Sequence, residues 1–288
     1  MRITNQMKAN NITAQLFKQT ERMFKSQEQI VTGKRINRPS DDPIGMSSVL
    51  SYRKTLSSLE QYDKNIASAE MHIETVDDIL DMVGDLLTDA KRIAEDPNLD
   101  MGANLATEIR TIREQVRQLA NQQINGNYIF GGDITNVEPF NDLGVYGGDS
   151  GTKDVIIGNN VQINIIADGQ QIFQSATDVF AELDALEADL AALPPDAAAI
   201  KSHALPISNA IDQLKTVRAA NAGFYQRLDA TKNHNEYFKL NIESLLSQTE
   251  DADMAEAIIQ LQSQQTTYES TLATSAMIIQ KSLIDFLG

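Results

Sequence analysis

The sequence predicts a mainly α protein: a long α-helical coiled-coil bundle formed by its N- and C-terminal halves, with a small β-rich domain inserted in the middle. Three observations predict it. Leu59, Tyr62, Ile66, Ala69, Ile73, Val76, Leu80, Val83, Leu87, Ala90 and Ala94 hold alternating three- and four-residue spacing without a slip, which is the signature of a coiled-coil seam. A weaker version of the same spacing recurs at both chain ends. Between them, residues 133–175 turn dense in Gly, Asn and Asp and carry short β-branched runs.

The first 32 residues read as a helix whose seam is Ile12, Leu16, Gln19, Met23, Ser26 and Ile30. Two of these six positions, Gln19 and Ser26, are polar, so little apolar area is buried per turn and the helix needs a partner. Gly33 ends it. Pro39, Ser40, Asp41, Asp42 and Pro43 form a stop-and-restart motif, with Asp42 suited to an N-cap and Pro43 to the first helical position. The helix starting at Pro43 runs to about residue 95, where Asp96-Pro97-Asn98 stops it, giving a rod roughly 80 Å long. A third helix carries Leu105, Ile109, Ile112, Val116, Leu119 and Gln123 on one face and is expected to lie antiparallel on the second. Asn125-Gly126-Asn127 reads as its cap, and Gly131-Gly132 as a turn.

In the insertion, Val155 to Ile157 and Val161 to Ile166 read as strands around Gly158-Asn159-Asn160. A second turn at residues 167–170 precedes Gln171-Ile172-Phe173. Residues 176–192 read as a helix that Pro194-Pro195 ends. Another long helix spans about 203 to 246. After the break at Thr249 to Asp253, a last helix carries Ile258, Leu261, Gln265, Tyr268, Leu272, Ser275, Ile279, Leu283 and Phe286. The layout is nested: 1–42 with 247–288 as terminal coiled-coil helices, 43–132 with 203–246 as a helical rod, and 133–202 as the β-containing insertion.

Composition excludes several function classes. The chain has no cysteine, so disulfides and thiol chemistry are absent. Its net charge of −16 disfavours nucleic acid and anionic lipid as partners. No apolar run is long enough to insert in a membrane. The N-terminal stretch lacks the apolar centre of a secretory signal, so export, if it occurs, is expected to use another route. The charge is uneven: residues 1–40 carry eight Lys/Arg against two Asp/Glu, and residues 133–200 carry one Lys against twelve Asp/Glu.

No catalytic constellation, metal site or cofactor site is expected. His72, His203 and His234 stand at no metal-ligand spacing and read as surface residues. Asp41-Asp42 is better explained as a cap than as a catalytic carboxylate pair. Asp77, Asp78, Asp81, Asp85 and Asp89 read as a solvated rod face. The glycines from Gly126 to Gly132 lack the Gly-Lys-Ser/Thr of a phosphate loop.

Five segments resemble the flagellin family. Asn37-Arg38-Pro39-Ser40-Asp41-Asp42-Pro43 is similar to the motif after the first helix in its hook-associated members. Met1-Arg2-Ile3-Thr4, Thr32 to Ile36, Asn125 to Gly132 and Glu250 to Met254 resemble further family segments in the same order. The resemblance covers about the first 130 and last 90 residues and implies a structural, non-enzymatic part of the bacterial flagellum. It implies a thin self-assembled ring or helical layer between a hook-associated protein on the hook side and flagellin on the filament side. Terminal helices would form the inner layer and the insertion would face outward. Export unfolded through the flagellar type III apparatus, an extracellular location and an export chaperone on the C-terminal helix are implied as well. A short filament flagellin and a cytosolic coiled-coil tether are the alternatives. The polar seam positions, with the apolar tail of Ile278, Ile279, Leu283, Ile284, Phe286 and Leu287, lead to the expectation that the chain ends order on contact with other copies.

Overall fold

In the computed structural model the chain is described over residues 5–97, 101–166 and 168–287, the side chains of 5, 8, 9, 166 and 278–287 excepted. The elements follow in the order α1 (Asn5–Thr32), α2 (Pro43–Glu95), α3 (Gly102–Ala120), β1 (Gln123–Ile124), β2 (Asn127–Tyr128), β3 (Thr152–Gly158) and β4 (Val161–Ile166). Then come α4 (Gly169–Phe173), α5 (Val179–Ala191), α6 (Ala197–Ser202), α7 (Ala204–Glu250) and α8 (Met254–Leu287). The chain forms two compact units, one of residues 1–58 and 237–288, the other of residues 59–236.

The larger unit is organised by the seam on α2. Every seam residue from Leu59 to Ala94 is buried except Tyr62, which is half-buried. Antiparallel α7 covers this face with Ile207, Leu214 and Leu228. Polar contacts fix the pair's register along its length: Lys91 Nζ to Ser208 Oγ at 3.2 Å, Arg218 to Asp77 at 2.9 Å and again to Asp81, and Lys232 to Glu70 at 3.3 Å. The acidic stripe on α2 is thus partly an ion-pair ladder and not only a solvated face.

Helix α3 shares this core, but the helix it approaches most closely is α5 and not α2 as expected. They run antiparallel, with Arg110 bonded to Glu187 at 2.8 Å and Arg113 to Asp184. Gly102 makes the approach possible: a Cβ there would sit 2.8 Å from the Leu190 carbonyl oxygen. Asp178 caps α5 by accepting from the N–H groups of Phe180 and Ala181.

One reading of the middle segment is corrected, and the strands of the insertion are as expected. Asn125 and Gly126 do not cap α3, which ends at Ala120. They form the two-residue turn of the β1–β2 hairpin, with φ of 51° and 81°, the left-handed pair that a type I′ turn requires. Residues 171–173 are helical. Asp168 caps a single helical turn there, α4. The strand content of the insertion is one hairpin, β3–β4, antiparallel with a register shift between Ile156 and Gly158.

That hairpin packs Ile157, Ile163 and Ile165 onto Ile66, Ala69 and Ile73 of α2 and Leu228 of α7. In the other core, shared with α3 and α5, Phe130, Phe140, Phe173, Phe180 and Tyr146 gather in one cluster, with edge-on rings 5.4 and 5.5 Å apart. Edge-to-face geometry sets a positive ring edge against a negative face. The insertion therefore shares its cores with the rod helices.

Two of the three histidines are not surface residues. His72 is half-buried, its Nε2 has no hydrogen-bond partner, and burial together with nearby Lys153 pushes its pKa down to about 4. His203 stands between two carboxylates of α5: Nδ1 lies 2.6 Å from Glu182 and Nε2 2.9 Å from Asp189. Burial opposes its charge, but both carboxylates favour it, and the net pKa is raised. A raised folded-state pKa stabilises below the unfolded value and loses that contribution as pH climbs through the folded value. Stability of this unit is therefore expected to fall as pH rises past neutrality. His203→Gln should flatten that slope in urea unfolding across pH, and an unchanged slope would exclude the His203 contact as its source.

Candidate assembly surface

The smaller unit is built on α1 and α8, which run antiparallel. Lys34 pairs with Asp251 in an isolated β-bridge, Gln19 Nε2 donates to the Gln264 carbonyl at 3.1 Å, and Ser26 Oγ donates to Gln264 Oε1 at 3.1 Å. Ile12, Leu16, Met23 and Ile30 are half-buried on the α1 side, with Ser26 fully buried among them. On α8 the contact line runs through Ala257, Leu261, Gln264, Tyr268, Thr271 and Ser275. Ile258, Gln265 and Leu272, expected on this line, are one position off it and exposed. Ile279, Leu283 and Phe286 lie in α8, but their side chains fall outside the described residues.

The seam is thin. A groove of about 700 Å³ opens between the two helices, lined by Ile12 and Gln15 on one side and hydroxyls such as Ser263, Thr267 and Thr271 on the other. Beside the seam, α1 exposes Phe17, Phe24 and Val31 at 70%, 65% and 85%. These three stand seven residues apart, so they line one stripe along the helix. Ile258, Ile259 and Met277 of α8 and Tyr237, Leu240 and Leu245 of α7 are exposed too. Scattered apolar residues are ordinary on a surface; a heptad stripe is the pattern a further helix fits.

The Pro39–Pro43 motif fixes where α1 ends and α2 begins. Pro39 and Ser40 are exposed in a turn closed by the Asp41 N–H donating to the Arg38 carbonyl at 3.0 Å. Asp41 Oδ2 accepts from the N–H groups of Arg38 and Asn37 at 3.0 and 3.2 Å, and Oδ1 meets Lys25 Nζ at 3.0 Å. Burial raises its pKa, but the Lys25 ammonium and the two N–H donors outweigh that and hold it below the usual carboxylate value. Asp42 caps α2: its Oδ1 accepts from the Gly45 N–H at 2.9 Å, which with Arg35 nearby depresses its pKa also. Pro43 is the first residue of α2. Gly45 has a steric reason, since a Cβ there would meet the buried Ile36 side chain at 2.6 Å. A lone isoleucine in a polar loop was a legible anchor signal, although periodicity does not reach it.

The two helix breaks are pinned together. The Arg35 N–H donates to the Glu250 carbonyl at 2.6 Å, the Ala252 N–H donates to the Gly33 carbonyl at 2.9 Å, and Arg35 Nη2 donates to the Thr249 carbonyl at 2.7 Å. Gly33 sits at φ 70°, the left-handed region that favours glycine. Glu250 is the centre of the joint. Its side chain is 4% exposed and holds both Lys34 Nζ, at 2.8 Å, and the Arg53 guanidinium. Gly126, Gly131 and Gly132 lie in the other unit. Gly126 is in the β1–β2 turn, and the next two are where a Cβ would strike the Ile134 carbonyl and Asp149 respectively.

Removing one side of a buried ion pair leaves the other charge uncompensated, at a cost of about 3–5 kcal/mol. Half-exposed cations here soften that, so Glu250→Ala is expected to cost about 2–3 kcal/mol. Chemical denaturation followed by a probe in residues 1–58 would check this. A loss below about 0.5 kcal/mol would mean that the joint is held by its backbone bonds alone.

Comparison with known proteins agrees with this geometry. The model of the bacterial flagellin N-terminal helical region matches residues 3–135. The chain is 31% identical over 185 residues to flagellar hook-associated protein 3 of Salmonella typhimurium, a match spanning 62% of this chain but only 58% of that protein. It is 28% identical over 229 residues to the Escherichia coli protein of the same name, covering 76% of this chain and 72% of that one. A solved structure described as a flagellar hook-associated protein of Vibrio parahaemolyticus shares the fold, with TM-score 0.68 at 21% identity, covering 73% of this chain and all of the other. The matched region takes in α1, the Pro39–Pro43 joint, α2 and α3, so this N-terminal part of the chain is similar to the flagellin N-terminal helical region.

Proposed function

We propose that this chain is a hook–filament junction protein, a structural part of the bacterial flagellum. Copies would assemble as a thin layer between a hook-associated protein on the hook side and flagellin on the filament side. The observation that carries this is the unfinished surface of the smaller unit. The α1–α8 seam mixes half-buried Ile12, Leu16, Met23, Ile30, Leu261 and Tyr268 with Gln19, Ser26, Gln264, Thr271 and Ser275, while Phe17, Phe24 and Val31 stay in water. Apolar stripes at helical period are stabilised when another copy covers them. The Salmonella and Escherichia coli relatives, both hook-associated protein 3, support the junction over the filament.

The same reading gives roles to the parts. Residues 1–42 and 247–288 serve as the inner layer, 43–132 with 203–246 as the surrounding rod, and 133–202 as the outer face. Ile12, Leu16, Met23, Ile30, Leu261 and Tyr268 hold α1 to α8, whereas Ile258 and Leu272, turned outward, are contacts for neighbours. Ile279, Leu283 and Phe286 are assigned to the end that an export chaperone covers before assembly, with type III export delivering the chain outside the cell. No catalytic step is assigned to any residue. No helix is long and apolar enough to cross a membrane among the described residues.

Two measurements test this. Amide exchange on the isolated chain should show residues 5–30 and 255–275 exchanging far faster than 66–94, since a thin polar seam opens locally. Equal protection in both regions would contradict an assembly-dependent end. A strain lacking the gene should build complete hooks and shed flagellin into the medium. Normal filaments in that strain would exclude the junction role, and loss of flagellin itself would identify a filament subunit instead.

A further inference from the structure

The larger unit carries a cleft of about 340 Å³ between α2 and α7, and three side-chain groups define what it can hold. Asn221 lines it, is 3% exposed, and its amide Nδ2 has no hydrogen-bond partner. A buried amide left unbonded costs about 1–3 kcal/mol, which an acceptor from outside would recover. Glu74 and Asp78 stand one helical turn apart on the same wall, exposed, and neither is in an ion pair among the described residues. Asp77 between them is already taken by Arg218. Tyr225, half out of the protein surface, supplies an aromatic ring at the rim.

The ligand must offer an oxygen acceptor to the amide and positive charge to the two carboxylates at once. A free anion is repelled, and a bare metal ion brings no acceptor. A polypeptide segment with basic side chains brings both, and its cation also favours the tyrosine face. We infer that this cleft receives the basic flank of α1 from a second copy of the chain. That inference rests on the assembly reading above.

The match is one of spacing as well as charge. On α1, Lys18 and Arg22 are exposed, one turn apart, and in no ion pair among the described residues. Lys25, Lys34, Arg35 and Arg38 are each engaged within their own chain. Two cations four residues apart meet two carboxylates four residues apart when the helices lie side by side. Gln15 precedes Lys18 by one turn; its Nε2 donates to Asn11, which leaves its Oε1 to accept from Asn221. This flank lies on the opposite side of the α1 seam from Phe17, Phe24 and Val31, so the basic and apolar contacts of α1 do not compete.

The test is a titration of the ¹⁵N-labelled full chain with a synthetic peptide of residues 11–28, followed at the Asn221 side-chain amide, which is assigned by its loss in Asn221→Asp. A saturable shift of that amide is expected. Glu74→Gln with Asp78→Asn in the chain should weaken it about tenfold, and so should Lys18→Glu with Arg22→Glu in the peptide. The reversed peptide should bind again to a chain carrying Glu74→Lys and Asp78→Lys. An unmoved Asn221 amide would overturn the inference. So would an equal response to a scrambled peptide or to calcium chloride, which would mark a cation site without segment preference. Neither result would touch the junction role, which the deletion strain reads independently.

Discussion

Everything in the larger unit depends on one aliphatic line, the seam of α2 from Leu59 to Ala94. It gives α3, α5, α7 and the β3–β4 hairpin a common surface. Burial of apolar area is non-directional, so the seam alone would let these elements slide. The ion pairs and hydrogen bonds at its edges, Asp77 and Asp81 with Arg218, Glu70 with Lys232 and Lys91 with Ser208, act as register marks. Exposed pairs of this kind contribute little energy. Their value is in selecting one alignment among several of similar apolar area.

The smaller unit follows the opposite rule. Its seam is short of hydrocarbon, and its order comes from a polar joint in which Glu250, Lys34, Arg53 and Arg35 tie two helix breaks together. The larger unit is closed by an aliphatic seam, whereas the smaller leaves the Phe17, Phe24 and Val31 stripe exposed beside a mixed one.

How much of this the sequence discloses depends on the range of the interaction. The α2 seam, the Asp42–Pro43 restart and the β3–β4 strands are local periodicities or local caps, and residues a few places apart specify them. The α8 contact line was legible only in part: Leu261, Tyr268 and Ser275 lie on it as the spacing predicts. Apolar residues such as Ile258 and Leu272 attract the periodic reading, yet the side facing α1 carries Ala257, Gln264 and Thr271. Spacing alone cannot tell a seam closed in cis from one kept for a neighbour. Asn125-Gly126 reads equally well as a helix end or a hairpin turn, because left-handed backbone serves both. The grip of Glu182 and Asp189 on His203 and the solitary amide of Asn221 join residues whose proximity only tertiary packing creates.

The pinning of residues 33–36 to 249–252 couples the lengths of the two terminal helices. Both start from one knot, so the residue of α1 opposite any residue of α8 is set by counting outward from it. An insertion in either helix slides everything beyond it past its counterpart, exchanging serine for isoleucine along the line of contact. A length change in one terminal helix is therefore compensated only by a matching change in the other, which makes the two ends one structural piece.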